Sequence, residues 1–220
     1  MSIHALSVKC AGYLARELGS DHRQEQRMAY GLEIILGEVI KVIILLLLAW
    51  LLGILPEILV LSFTASILRL ASGGEHCSEY YRCLIGSTTC FLLLGLLIHW
   101  ISPGLEPLHL YVIAGLAFLP GLALLWKYAP GDTENKPINN EDEHRNLKRL
   151  SLIIVTLYLV IMMLLIGWLH LYSLALAIAV GMLEQVFTVT PAGYRFMHGV
   201  DRLLDFSRRR KSNEPEDSHC

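Results

Sequence analysis

Residues 150–170 read LSLIIVTLYLVIMMLLIGWLH, 21 positions without one Asp, Glu, Lys or Arg. As a helix this run is about 30 Å long, the thickness of a bilayer's hydrocarbon core, where a spanning segment must satisfy its own backbone N–H and C=O groups. Working outward, further apolar runs fall at about 33–55, 58–71, 84–102, 108–128 and 172–190. The whole chain is 54% hydrophobic and 17% charged, with a mean hydropathy of +0.51, whereas soluble domains carry about 25% charged residues. The expected fold class is therefore all-α: a polytopic membrane helical bundle of about six transmembrane or partly inserted helices. The 58–71 run is short for a crossing, so a short tilted span, a re-entrant segment and a crossing of thinned bilayer all stay open for it. Inside the first run, Glu38 and Lys41 are spaced i,i+3 and are expected to pair on one helix face.

Basic residues set the expected orientation, because short cytoplasmic loops are enriched in them. Lys9, Arg16, Arg23 and Arg27 precede the first span; Arg69 and Arg82 flank the 72–80 connection; Lys127, Lys136, Arg145, Lys148 and Arg149 surround the next; six more follow Pro191. The connections near 56–57, 102–107 and 170–172 have none. Six crossings with both termini in the cytoplasm fit this pattern. Residues 1–31 alternate apolar and polar positions at helical spacing (Ile3, Leu6, Tyr13, Leu14, Leu18) with basic residues between, which suits an N-terminal amphipathic interfacial helix or a solvated cap. They lack the pattern of a cleavable signal peptide. Residues 32–195 form the expected membrane domain, and 196–220 a basic, then polar tail without order. The Arg208–Lys211 run is drawn to anionic lipids. A net charge of −2 excludes a duplex nucleic acid partner, which demands a basic excess. Five cysteines without framework spacing argue against a disulfide scaffold.

The chemistry-bearing stretch is RLASGGEHCSEYYRC, residues 69–83. A cysteine attacks as thiolate, and near neutral pH a base or positive field must lower its pKa from about 8.5. His76 can supply that base to Cys83. On an unbroken helix the two would stand about 10.5 Å apart in rise, beyond hydrogen-bond reach. Gly73 and Gly74 supply the permissive backbone for a turn, so His76 is expected to hang from a loop and fold back over the start of the Cys83 helix, whose N-terminal positive field favours a thiolate. From spacing alone, a histidine and a cysteine near a membrane are more often packing residues. Cys77 adjoins the histidine too closely to share its ring nitrogen, and Cys90, one heptad deeper than Cys83, behaves as a small hydrophobe. A zinc site from His76, Cys77 and Cys83 lacks a fourth ligand. No metal or other cofactor is expected.

The run Arg69, Gly73, Gly74, His76, Cys83 resembles the signature of the AgrB family, membrane cysteine endopeptidases that process quorum-sensing propeptides. YAPGDTENKPI at 128–138 and EQVFTVTPAG at 184–193 are similar to two further segments of that family. Glu75 departs from the pattern, where a small residue is usual; it would orient His76 or face solvent. The resemblance implies a cell-membrane enzyme with its site facing the cytoplasm, an AgrD-like propeptide as substrate and partner, membrane lipids as surroundings, and a homodimer. It also implies a His76–Cys83 dyad that cleaves off the propeptide's tail through an acyl thioester and hands the remainder to an internal thiol or hydroxyl as a thiolactone or lactone. Arg69, matched to the family, and Lys136 are candidates to hold an acidic tail; Gln185 is a candidate oxyanion donor or substrate contact, with interhelical hydrogen bonding as the simpler role. Asp132, Asn135 and Lys136 with Pro130 and Pro137 also suit a plain turn. The competing classes are a small-peptide transporter and a noncatalytic membrane scaffold. A transporter has no need of a histidine and a cysteine at a diglycine turn, and would cluster its polar residues at the bilayer centre.

Overall fold

A computed structural model describes residues 3–74, 80–131 and 141–203. They form eight α-helices: α1 Ile3–Leu18, α2 His22–Leu51, α3 Leu55–Ser72, α4 Tyr80–Ile101, α5 Pro107–Tyr128, α6 Glu141–Leu164, α7 Tyr172–Val189 and α8 Pro191–Leu203. A π-helical turn, Leu165–Leu169, extends α6. Six helices, all but α1 and α8, are long and apolar enough to cross a membrane. The chain divides into two compact units, residues 1–51 and 52–220.

The first unit is a helical hairpin whose turn is written in local chemistry. After α1 the chain turns at Gly19, with φ of 62°, and Asp21 and Gln24 form a reciprocal cap. Gln24 N–H donates to Asp21 Oδ1 at 2.7 Å, and Asp21 N–H to Gln24 Oε1 at 3.3 Å. Together they satisfy two donors that the start of α2 would leave bare. The two helices run antiparallel: His4 Nδ1 meets Glu33 Oε2 at 2.9 Å, and Gly12 lies against Glu25. Ser7, Ala11 and Ala15, spaced i, i+4, i+8, are buried, so small residues make the seam. Leu6, Tyr13, Leu14 and Leu18 remain exposed. Further along α2, Lys41 and Glu38 form the expected ion pair.

In the second unit α7 sits centrally, packed against α3, α4, α5, α6 and α8. Its sequence explains the position. Ala175, Ala177, Ala179 and Gly181 present little bulk on any face, so neighbouring backbones come close. A Cβ at Gly181 would lie 2.7 Å from the Leu61 carbonyl oxygen of α3. On α4, Gly95 likewise receives Ile58 of α3. Leu68, Ala117, Leu125, Val155, Met162, Met182 and Val186 fill the core between α3, α5, α6 and α7. Tyr158 of α6 donates its hydroxyl to the Thr64 carbonyl of α3 at 2.9 Å.

The doubtful second run resolves as a continuous helix of 18 residues, about 27 Å long. Pro56 and Glu57, read from the sequence as a connection, are its first turn; Pro is tolerated there because that N–H has no helical acceptor. Glu57 is buried and faces His99 of α4 at 3.3 Å, a pairing the sequence reading missed. Helix α8 carries order eight residues into the segment expected as a tail. Residues 204–220, with the Arg208–Lys211 run, lie outside the described residues.

Helices α3, α5 and α7 finish at one end of this unit, where α4, α6 and α8 begin. Among the described residues of the unit, Arg69, Arg82, Lys127, Arg145, Lys148 and Arg149 all lie within about three turns of that end. Exposed Trp126 marks it, while exposed Trp100 and Trp168 mark the other, the girdle expected at two membrane interfaces.

Two outcomes follow from this packing. Gly181→Ala drives a methyl into the α3 backbone and is expected to cost about 1–3 kcal/mol, whereas Gly115→Ala, with open space around its Cβ position, is neutral or stabilising. Thermal unfolding in detergent micelles compares them. Asp21→Ala removes the α2 cap and costs about 1 kcal/mol, read as faster amide hydrogen exchange over residues 22–25.

Candidate functional site at the end of α3

Helix α3 ends inside the bundle rather than in water, and its last carbonyl groups must find donors. Gly73 N–H closes the final turn on the Arg69 carbonyl at 2.9 Å. The Ser72 carbonyl accepts from the N–H of Gly131, 2.8 Å away on the segment after α5. The Gly73 carbonyl accepts from Gln185 Nε2 of α7 at 2.8 Å, and the same nitrogen reaches Ser72 Oγ at 3.0 Å. An amide nitrogen has two hydrogens, and both point at these acceptors.

The diglycine is obligatory on two counts. Gly73 has φ of 68° and ψ of −149°, a region open essentially to glycine alone, and Gly74 has φ of 128°. Each is also hemmed in. A Cβ at Gly73 would lie 2.5 Å from the Gly131 carbonyl oxygen, and one at Gly74 would lie 2.9 Å from Thr188 Oγ1 of α7. Gly73 and Gly131 pair as an isolated parallel β-bridge. Gly131 in turn lies against the Tyr194 hydroxyl of α8.

The α7–α8 corner, Thr190-Pro191-Ala192-Gly193, is built as tightly. Thr190 Oγ1 donates to the Phe187 carbonyl at 2.7 Å and accepts from Gly193 N–H at 3.1 Å, ending one helix and capping the next. Pro191 occupies the first turn, where it is at home. A Cβ at Gly193 would lie 2.1 Å from the Phe187 carbonyl oxygen, so only glycine permits the reversal. Helix α8 then folds over α4, with Val200 against Gly86.

Of the residues singled out from sequence, the structure brings Gly73, Gly74 and Gln185 into one cluster, with Arg69 in the last turn of α3. Arg69 interacts electrostatically with the half-buried Glu184 of α7, and Glu184 with Cys90 of α4. Cys83 enters by its backbone, as the fourth residue of α4, seven positions before Cys90. Glu75, His76, Cys77 and Lys136, and with them Asp132 and Asn135, lie outside the described residues. Among the described residues no group of three or more His, Cys, Asp or Glu side chains is arranged to hold a metal. The sequence reading missed Ser72 and Thr188. Ser72 is fully buried and Thr188 nearly so, and each hydroxyl has its own bond. A serine directly before a diglycine and a threonine one turn after a glutamine were the available signals.

Three stretches distant in the chain, 69–74, 128–131 and 184–194, thus meet at one end of one bundle. The family model described as AgrB, accessory gene regulator B, matches residues 7–189. A provisionally named AgrB-like protein of Clostridium perfringens (strain SM101 / Type A) is 31% identical over 210 residues, 92% of this chain and 98% of its own length. One from Listeria innocua serovar 6a is 32% identical over 172 residues, 78% of this chain and 79% of its own. No solved structure gives a significant match. With the family match running from α1 to the end of α7, the chain belongs to the AgrB family, accessory gene regulator B.

Proposed function

We propose that this multi-pass membrane protein is a cysteine endopeptidase that trims an AgrD-like propeptide within a quorum-sensing system. One observation carries the reading: the described parts of the segments that resemble the family's, 69–74, 128–131 and 184–193, converge where α3 ends. Family membership supports the accessory gene regulator role and the link to an AgrD-type propeptide.

His76 takes the proton from Cys83 Sγ, and the thiolate attacks the carbonyl carbon at the boundary between the peptide's central segment and its tail. The C–N bond breaks, the departing amine takes the proton from His76, and an acyl thioester remains on Cys83. A thiol or hydroxyl within the peptide then displaces Cys83, closing a thiolactone or lactone. An amide is more stable than a thioester, so loss of the tail must draw the first step forward. Water competes at the second step. Surrounding apolar helices favour cyclisation because they exclude solvent and hold the peptide's nucleophile near the acyl carbon.

The basic end of the bundle, with Arg69, faces the cytoplasm and suits an acidic tail, and Lys136 is a second candidate to hold that tail. Residues 1–31 lie at the membrane surface and 32–195 form the peptidase domain, working among lipids as a homodimer. Glu75, adjacent to His76 in the sequence, orients the imidazole in this reading.

Co-expression with an AgrD-type propeptide tests the assignment by mass spectrometry. Cys83→Ala abolishes cleavage, His76→Ala reduces it by about 10²–10⁴-fold, and Cys77→Ala retains it. Equal loss in all three variants would sink the dyad.

A further inference from the structure

Gln185 stands 113 residues from Ser72 in sequence, yet its amide bridges the Ser72 hydroxyl and the Gly73 carbonyl at 3.0 and 2.8 Å. Ser72 is 0% and Gln185 1% exposed, so these bonds form without competition from water. They seize the chain at the residue where α3 stops being helical and the left-handed diglycine begins. Thr188, one turn further along α7, walls the other side of the turn: its Oγ1 donates to the Gln185 carbonyl at 2.8 Å and stands where a Gly74 side chain would be. Gly131 N–H holds the Ser72 carbonyl from a third direction.

Two glycines in tandem are the most freely jointed dipeptide a chain can contain. Left alone, they would let the following residues sample many directions. The bonds from Gln185 and Gly131 act on Ser72 and Gly73, Thr188 braces Gln185 and walls Gly74, and none of these contacts extends helix α3. Interhelical packing alone would not demand this, since the same α3–α7 contact is already sealed at Gly181 against Leu61.

We propose that Ser72 and Gln185 are positioning residues, with Thr188 as their buttress, that hold the diglycine turn in one direction and thereby aim His76, two residues past Gly74, at Cys83. This rests on the peptidase reading above. The pair touches neither substrate nor reacting sulfur; it acts through the backbone. Its removal therefore degrades proton transfer from Cys83 more than it degrades peptide binding.

The test measures iodoacetamide alkylation of Cys83 against pH in the full-length protein in lipid nanodiscs. Peptide mass spectrometry reads each cysteine separately. In this reaction the thiolate sulfur forms the S–C bond and iodide leaves. The unaltered chain should react with a midpoint below the ordinary thiol value of about 8.5. Gln185→Leu, which keeps bulk and removes the amide, and Ser72→Ala should move that midpoint up by about one pH unit, cutting the rate at pH 7 about tenfold. Propeptide cleavage should lose kcat by a similar factor, with KM within about twofold. Ser151→Ala removes another fully buried hydroxyl, one that donates to the Leu147 carbonyl within α6; it should lower the melting temperature and leave the midpoint in place. An ordinary midpoint in the unaltered chain overturns the peptidase reading itself. A lowered midpoint that Gln185→Leu and Ser72→Ala leave unmoved, while only melting falls, overturns the positioning role alone. Should Gln185→Leu fail to fold, Ser72→Ala, a loss of one oxygen, decides the matter.

Discussion

A helix that stops inside a bundle has carbonyl groups pointing at neither water nor the next turn of itself. In a lipid-embedded protein this is costly, several kcal/mol for each group left bare. Helix α3 stops in this way at Ser72, and much of the surrounding architecture supplies what it lacks. The segment after α5 provides the Gly131 N–H, α7 provides the Gln185 amide, and the two glycines give the backbone freedom to meet both. The need for donors therefore gathers three distant segments at the point where the chain leaves α3 on its way to the helix bearing Cys83.

The same constraint explains why α7 is both core and scaffold. Its alanines and Gly181 let α3 approach closely enough for Gln185 to reach over, and its end at Thr190 is turned at once into the start of α8. Packing density in the middle of the bundle and hydrogen-bond geometry at its end are thus set by one helix. Loss of a small residue at position 181 would displace the glutamine one turn away.

The sequence disclosed much of this architecture and less of the site. Six spans, their polarity of charge and the Glu38–Lys41 pair could be read because hydrophobic run length, loop charge and i,i+3 spacing are local quantities. Pro56 misled, since a proline reads equally as a break and as the first turn of a helix, and only the packing of Glu57 on His99 separates the two. The helical course of 196–203 was missed for a related reason: its apolar residues are few, and Phe196 and Val200 find their partners on α7 and α4, distant in the chain. The diglycine was legible as a turn, but its direction was not. The bonds that fix it join residues more than 50 or 100 positions apart, and Ser72 and Thr188 have unremarkable local neighbourhoods.

The connections at the end of the second unit opposite Ser72 are brief, residues 102–106 and the pair His170–Leu171, and they bear no lysine or arginine. Proteolytic nicking favours long exposed loops, and neither connection offers one. Digestion of oriented vesicles from that side should therefore leave this half of the polypeptide whole, and an epitope tag inserted there would have to bring its own linker.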